Sequence, residues 1–344
     1  MTTQTTDRAD MPSSPGVPGL VFRRFRGPDD YPGMVEANLA ARDEYGIEDT
    51  VTVEGMASDY AHLTHSDVNR DLLIVELDDR VVGYTRVQWD DQQDGSRAYE
   101  SICILRPELR SRGIGRSMLA WDERRSREIA AAHPADGRER WLQAWSWDGD
   151  ERALALLRRS GYTPVRRGYE MVRPDLEAIP EATLPDGLEV RAVGREDMRR
   201  IWEADVEIFR DHWGEVDASE EAWLRFSENP VYDPSLFVVA FDGDELAGMV
   251  INVIDPGDTA RKGYVRGLLD GVGVRRAWRR RGLARALILR SLHLLREHGA
   301  TSAFLGVDGE NPNQAMTLYE GCGFGTVSSE TAWRKPLAGE ESAG

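Results

Sequence analysis

The stretch Ile104–Trp121, ILRPELRSRGIGRSMLAW, and the stretch Gly271–Leu289, GVGVRRAWRRRGLARALIL, carry one pattern twice. Each sets an Arg, two spacers, a Gly, one spacer and a Gly or Ala after apolar strand-like residues and before a helical pattern. The first copy supplies Arg110, Arg112, Gly113 and Gly115; the second supplies Arg279, Arg280, Arg281, Gly282, Leu283, Ala284 and Arg285. Small residues at these places let the backbone turn tightly at a helix N-terminus, where unpaired N–H groups and the helix dipole favour an anion. A pyrophosphate matches that chemistry.

Downstream of the second copy runs Ala303–Phe324, AFLGVDGENPNQAMTLYEGCGF, which reads as a strand, an Asn at 311, a helix and a closing Gly-Phe. Val307, Asn311, Ala315, Leu318, Tyr319, Gly323 and Phe324 together resemble the downstream block that the GNAT superfamily of acyl-CoA-dependent N-acetyltransferases pairs with its phosphate loop. The fold that the resemblance implies is mixed α/β: two tandem GNAT folds, each a mostly antiparallel central sheet flanked by helices. It also implies a fourth and fifth strand that splay apart beside the loop, with the pantetheine arm of acetyl-CoA in the gap.

The repeat extends beyond the loops. Each half opens with a strand after a Gly (Gly19 and Gly187) and enters a helix at an acidic start, Asp29-Asp30 or Arg195-Glu196-Asp197. Each continues with a hairpin, turning at Asp78-Asp79 and at Asp242-Gly243-Asp244. A repeat of this length is a duplicated domain rather than a solenoid. Pro174, Pro180 and Pro185 mark a connector between the halves. The expected organisation is a flexible tail at 1–18, an N-terminal domain at 19–173, a linker at 174–184, a C-terminal domain at 185–338 and a short tail at 339–344.

The chain has 344 residues, a net charge of −17 and 41% hydrophobic content, enough for two ordinary cores. The charge argues against nucleic acid or an anionic membrane as a main partner. No apolar run reaches the ~20 residues of a membrane span, and the N-terminus has no signal-peptide core. A cytoplasmic protein, monomer or homodimer, is expected. Two cysteines, Cys103 and Cys322, exclude a disulfide framework and read as buried packing residues. No His, Cys and acid spacing forms a ligand set, so no metal is expected.

Aligning the halves on Gly161 and Gly323 separates their fates. Ala153 matches Ala315, whereas Leu157 stands for Tyr319 and Gly149 for Asn311. The resemblance therefore implies that the C-terminal half is catalytic and the N-terminal half degenerate. Under it, Tyr319 protonates the leaving thiolate and backbone N–H groups from Val272 to Val274, with Gly273 between them, polarise the thioester carbonyl. Asn311 either bonds the pantetheine arm or caps the helix. Asp270 or a chain of waters serves as general base. The glycines Gly271 and Gly273 inside one strand point to a bulge or a close ligand approach. The expected function is transfer of the acetyl group of acetyl-CoA to a primary amine of a small molecule; the alternatives are a non-catalytic CoA-binding regulator and acetylation of a protein amine.

Overall fold

The computed structural model describes residues 8–13, 15–48, 51–210, 213, 217–310 and 315–337. In chain order the first half supplies β1 (Leu20–Arg24), α1 (Tyr31–Glu44), α2 (Val53–Ala61), α3 (Val68–Asp71), β2 (Leu72–Leu77), β3 (Arg80–Asp91) and β4 (Arg97–Leu105). It continues with α4 (Ile114–Ala132), β5 (Arg140–Trp147), α5 (Glu151–Arg159) and β6 (Thr163–Arg173). The second half supplies β7 (Leu188–Arg191), α6 (Met198–Phe209), α7 (Glu220–Ser227), β8 (Val238–Asp242) and β9 (Glu245–Val253). After these come α8 (Pro256–Lys262), β10 (Arg266–Val274), α9 (Leu283–Glu297), β11 (Ser302–Asp308), α10 (Ala315–Glu320) and β12 (Gly325–Pro336).

The chain divides into two compact units that differ from the sequence halves. One comprises residues up to Arg167 with Trp213 and the segment from Ser328; the other comprises Gly168 to Val327 apart from residues 213–215. Within the first unit the strand order is β1-β2-β3-β4-β5-β12, and within the second it is β6-β11-β10-β9-β8-β7. Residues Glu330–Pro336 of β12 lie antiparallel to β5, and residues Gly168–Arg173 of β6 lie antiparallel to β11. Each unit thus finishes its sheet with a strand encoded in the other half. The connector 174–184 is packed: Leu176 is 1% exposed, and Ile179, Ala182 and Leu184 lie against the second unit's core.

Local sequence accounts for the turns. Asp78 and Asp79 both take positive φ, 48° and 62°, which a two-residue hairpin turn between β2 and β3 requires. Gly243 does the same between β8 and β9 at φ 55°. Asp30 opens α1, yet its carboxylate bonds elsewhere. It accepts from Arg23 Nη1 and Nη2 at 2.9 and 2.7 Å and from the Arg26 N–H at 2.8 Å, a buried use that outweighs capping.

The described part of the N-terminal segment is packed rather than flexible. Ala9, Met11 and Val17 cover the patch of Phe22, Ile114 and Met118. Ser13 and Ser117 hydroxyls meet at 3.1 Å. Of the two cysteines, Cys322 is buried and Cys103 is exposed on β4, where parallel pairing with β5 has already ended.

Asp122 on α4 is fully buried. Its Oδ2 accepts from Thr85 Oγ1 at 2.6 Å and Cys103 Sγ at 2.9 Å, while Oδ1 meets no donor among the described residues. Burial pushes its carboxyl up to about 7, outweighing the two hydrogen bonds. The folded pKa lies above the unfolded one, so this group stabilises the fold fully below pH ~4 and that contribution is lost as pH rises through about 7. Asp122→Asn is expected to raise the melting temperature at pH 8 and to change it little at pH 4, as read by calorimetry. The ceiling on the gain is about 4 kcal/mol, from roughly three pKa units.

Candidate active site

Two forks in the sheets position the candidate residues. β10 and β11 pair in parallel only from Arg266↔Ser302 to Leu268↔Phe304, although β10 runs on to Val274 and β11 to Asp308. A bulge between Leu269 and Gly271 in the pairing with β9 sits where the fork opens. In the first unit β4 and β5 part in the same way beyond Ser101 and Ala144. The gap implied from the family pattern is present in both units.

Behind each fork the loop takes the same backbone shape. Ser111 and Arg280 hold φ of 65° and 62°, and Gly113 and Gly282 hold 85° and 84° at the starts of α4 and α9. Nothing lies within 4 Å of a Cβ built on Gly282, so the start of α9 presents its N–H groups openly. Arg280, Arg281, Gly282 and Arg285 are exposed around that turn, and Arg279 Nε donates to the Val274 carbonyl at 2.9 Å, tying loop to strand. Leu283 faces the core and Ala284 lies at its edge.

Tyr319 lies on α10, 7% exposed, in the cluster that holds Val274, Leu283 and Val307, with Val272 and Ala284 packed against it. Strand, loop and tyrosine therefore converge at one fork. The ring lies 6.1 Å from Phe324 edge-on, and its hydroxyl has no hydrogen-bond partner among the described residues. Burial first, then Cys322, pushes the phenol up to about 12. It stays protonated across the neutral range. Asn311 lies outside the described residues.

The opposite face of β10 carries the two glycines. A Cβ on Gly273 would come within 2.7 Å of Ile208 on α6, so the helix packs directly on the strand backbone. A Cβ on Gly271 would lie 3.4 Å from Asp205 Oδ1. Asp270, at the bulge, is exposed and accepts a hydrogen bond from the Tyr232 hydroxyl. Asp205 was not singled out from sequence, because an acid within the amphipathic pattern of α6 looks like any surface carboxylate. Its signal is visible only in three dimensions.

The first unit departs at the corresponding places. Arg110 stacks on the Tyr45 ring at 4.9 Å, donates to the Tyr45 hydroxyl, and pairs with Asp150 at 3.4 Å. Tyr45 also lies 5.8 Å from Trp147 and within 3.2 Å of a Cβ position on Gly149. One tyrosine thus bridges the two lips of this fork. Pro15 comes within 3.4 Å of a Cβ position on Gly113, Gly115 faces Leu156, and Leu157 is buried where the other unit has Tyr319. Arg112 is exposed.

Comparison with known proteins agrees with the duplicated fork and loop. The profile of the Acetyltransferase (GNAT) family matches residues 38–162 and again 198–324. The chain belongs to the GNAT family of acetyltransferases. It is 30% identical over 280 residues to the mycothiol acetyltransferase of Geodermatophilus obscurus, covering 77% of this chain and 82% of that one. The mycothiol acetyltransferase of Rhodococcus jostii is 28% identical over 346 residues, 96% of this chain and 97% of that one.

Among solved structures, a GCN5-related N-acetyltransferase from Sphaerobacter thermophilus superposes with a TM-score of 0.70 at 24% identity, covering 94% and 97% of the two chains. A tandem GNAT protein from the clavulanic acid biosynthesis pathway gives 0.68 at 17% identity, covering 94% of this chain and 100% of that one. This GNAT protein is an acyltransferase, with two GNAT folds in tandem. Among the described residues no helix is long and apolar enough to cross a membrane.

Proposed function

We propose that this GNAT protein transfers the acetyl group of acetyl-CoA to a primary amine of a small molecule, and that the chemistry belongs to the β10–β11 fork. The observation that carries the reading is convergence: the open Gly282 turn, the diverging strand from Val272 to Val274 and the buried Tyr319 adjoin one gap. In this reading Arg279, Arg280, Arg281 and Arg285 hold the phosphates, with the backbone of Gly282, Leu283 and Ala284. N–H groups of Val272, Gly273 and Val274 orient the pantetheine arm and polarise the carbonyl, Asn311 adds a polar contact, and Tyr319 supplies the proton to sulfur.

The 19–173 segment is the degenerate copy in this reading, and 185–338 the active one. Leu157 stands in place of the acid, and Arg110 is engaged by Tyr45 and Asp150, which supports one acetyl-CoA site per chain over a second at Arg110, Arg112, Gly113 and Gly115. The relatives named mycothiol acetyltransferase make a mycothiol-type amine the first acceptor to try. An acidic chain of net charge −17 suits a cationic acceptor.

Calorimetric titration with acetyl-CoA tests this directly. One site per chain is expected, and Gly282→Phe should abolish it, since the new ring covers the helix N-terminus and strains a left-handed residue. Two sites, or one that survives the substitution, would refute the assignment. The acceptor is sought by thiol release with deacetylated mycothiol, glucosamine and a short peptide as amines.

A further inference from the structure

Asp205 is a half-buried carboxylate that neither the family pattern nor the sequence reading assigned. It is the eighth residue of α6, which begins at Met198. The inner face of that helix, Met198, Ile201, Trp202, Ala204 and Ile208, is packed into the core. Asp205 follows Ala204 and reaches the backbone of β10 where Gly271 leaves no side chain in the way. Its Oδ1 is fully buried and has no hydrogen-bond partner among the described residues. A buried acceptor left unmatched costs free energy unless something it serves arrives there.

The duplicated half supplies an internal control. Asn38 is the eighth residue of α1, which begins at Tyr31, so it occupies the register of Asp205. There the side chain is fully engaged: Nδ2 donates to the Tyr84 hydroxyl at 2.9 Å and Oδ1 accepts from Arg42 Nε at 2.7 Å. The half that carries Leu157 in place of Tyr319 thus has a satisfied amide in place of an unsatisfied acid.

We propose that Asp205 is the general base of the acetyl transfer, taking a proton from the acceptor ammonium beside the β10 bulge. The proposal rests on the assignment of the reaction to the β10–β11 fork. Asp205 then lies on the α6 face of β10 with the Asp270 carboxylate near enough to act on it, and Tyr319 lies with Val272 and Val274 on the α9 face. Base and acid flank the strand whose N–H groups hold the thioester. The ammonium gives one proton to Asp205, its nitrogen bonds to the carbonyl carbon, and the carbon–sulfur bond breaks as Tyr319 protonates sulfur. The second proton shed by nitrogen restores Tyr319 through solvent, and that on Asp205 leaves to solvent.

The charges around Asp205 favour the task. Burial first, and then the Asp270 carboxylate, push its carboxyl up to about 7. Tyr232 donates to Asp270, and Glu207, two residues along α6, is occupied by Arg275 at 2.9 Å. A base with a pKa near the working pH is present in its ionised form and still binds a proton strongly enough to strip an ammonium.

Two measurements test the proposal. In carbon-detected NMR of protein with labelled aspartate, a carboxyl titrating near 7 should vanish in Asp205→Asn and move to lower pH in Asp270→Asn, with the Asp122 carboxyl unaffected by either. In steady-state kinetics, Asp205→Asn should lower kcat at pH 7 by about 100-fold with acetyl-CoA affinity unchanged. The deficit should narrow above pH 9, where the acceptor amine loses its own proton. Asp270→Asn, which keeps the base, should shift the acidic limb of the wild-type profile downward.

An unchanged kcat, a rise confined to the acceptor KM, or a deficit constant with pH would each overturn the proposal. Should Asp205→Asn remain active while Gly282→Phe and Tyr319→Phe are inactive, only the base is misassigned. Should those two variants also remain active, the fork itself is not the site and the proposal falls with it.

Discussion

Tyr319→Phe is expected to lower kcat by about 10²–10³-fold while leaving the acetyl-CoA dissociation constant within roughly twofold. Phenylalanine keeps the ring that packs 6.1 Å from Phe324 and removes only the hydroxyl, so the buried cluster around Val274 and Leu283 should persist. The hydroxyl has no hydrogen-bond partner among the described residues, so its loss breaks no structural bond there. With its pKa pushed to about 12 by burial, the phenol is protonated at every pH at which the enzyme is assayed. In the proposed mechanism it donates only when negative charge appears on sulfur. The wild-type profile should therefore show no alkaline limb from Tyr319 below pH 11, and the variant should retain the acidic limb assigned to Asp205. Unchanged turnover in the variant, measured by thiol release, would remove Tyr319 from the mechanism.

The loops were legible in the sequence because their chemistry is local. A residue in the left-handed region before a helix calls for Gly, and Gly113 and Gly282 stand there with φ near 85°. Ser111 and Arg280 share the strained turn without being glycine, and nothing in their side chains marks it. The Gly271–Gly273 pair pointed to a bulge or a close ligand approach; the structure contains the bulge at Leu269/Gly271, and α6 packs against the backbone at Gly273. What escaped the sequence is long-range. Neither the pattern of β6 nor that of β12 says which sheet receives the strand, because an alternating strand pairs equally well with either half's edge.

The same limit hid the state of the first fork. Tyr45 ends a helix of ordinary composition, and only its placement against Arg110, Trp147 and Gly149 shows that it bridges the gap. Arg110 matches the family pattern by residue type while its side chain is committed to Asp150 and Tyr45. A motif read along the chain reports what a loop could bind; the partners of its side chains decide whether they are free to do so. Asp205 is the converse case, an ordinary letter in a helix whose carboxylate oxygen is buried and unmatched beside β10.

The largest stability effect is expected at the base of the β10–β11 fork. Arg266 begins β10 and Asp258 lies on α8; Nε and Nη2 donate to Oδ2 and Oδ1 at 2.5 and 2.9 Å, with the side chains only 2% and 5% exposed. The guanidinium also lies 4.3 Å over the Phe304 ring. Arg266 pairs with Ser302 at the far end of the short parallel register, so this ion pair anchors the closed end from which β10 and β11 diverge. Asp258→Ala takes two charge-assisted hydrogen bonds from a buried guanidinium, and the expected cost is about 3–5 kcal/mol. For a unit of this size that is a fall in melting temperature of roughly 10 °C, measurable by calorimetry. Replacing both partners, Asp258→Leu with Arg266→Met, should recover most of the loss, because no charge is then left desolvated. A double variant as unstable as Asp258→Ala would mean that the geometry of the pair, rather than the cost of a buried charge parted from its carboxylate, holds the strand in register.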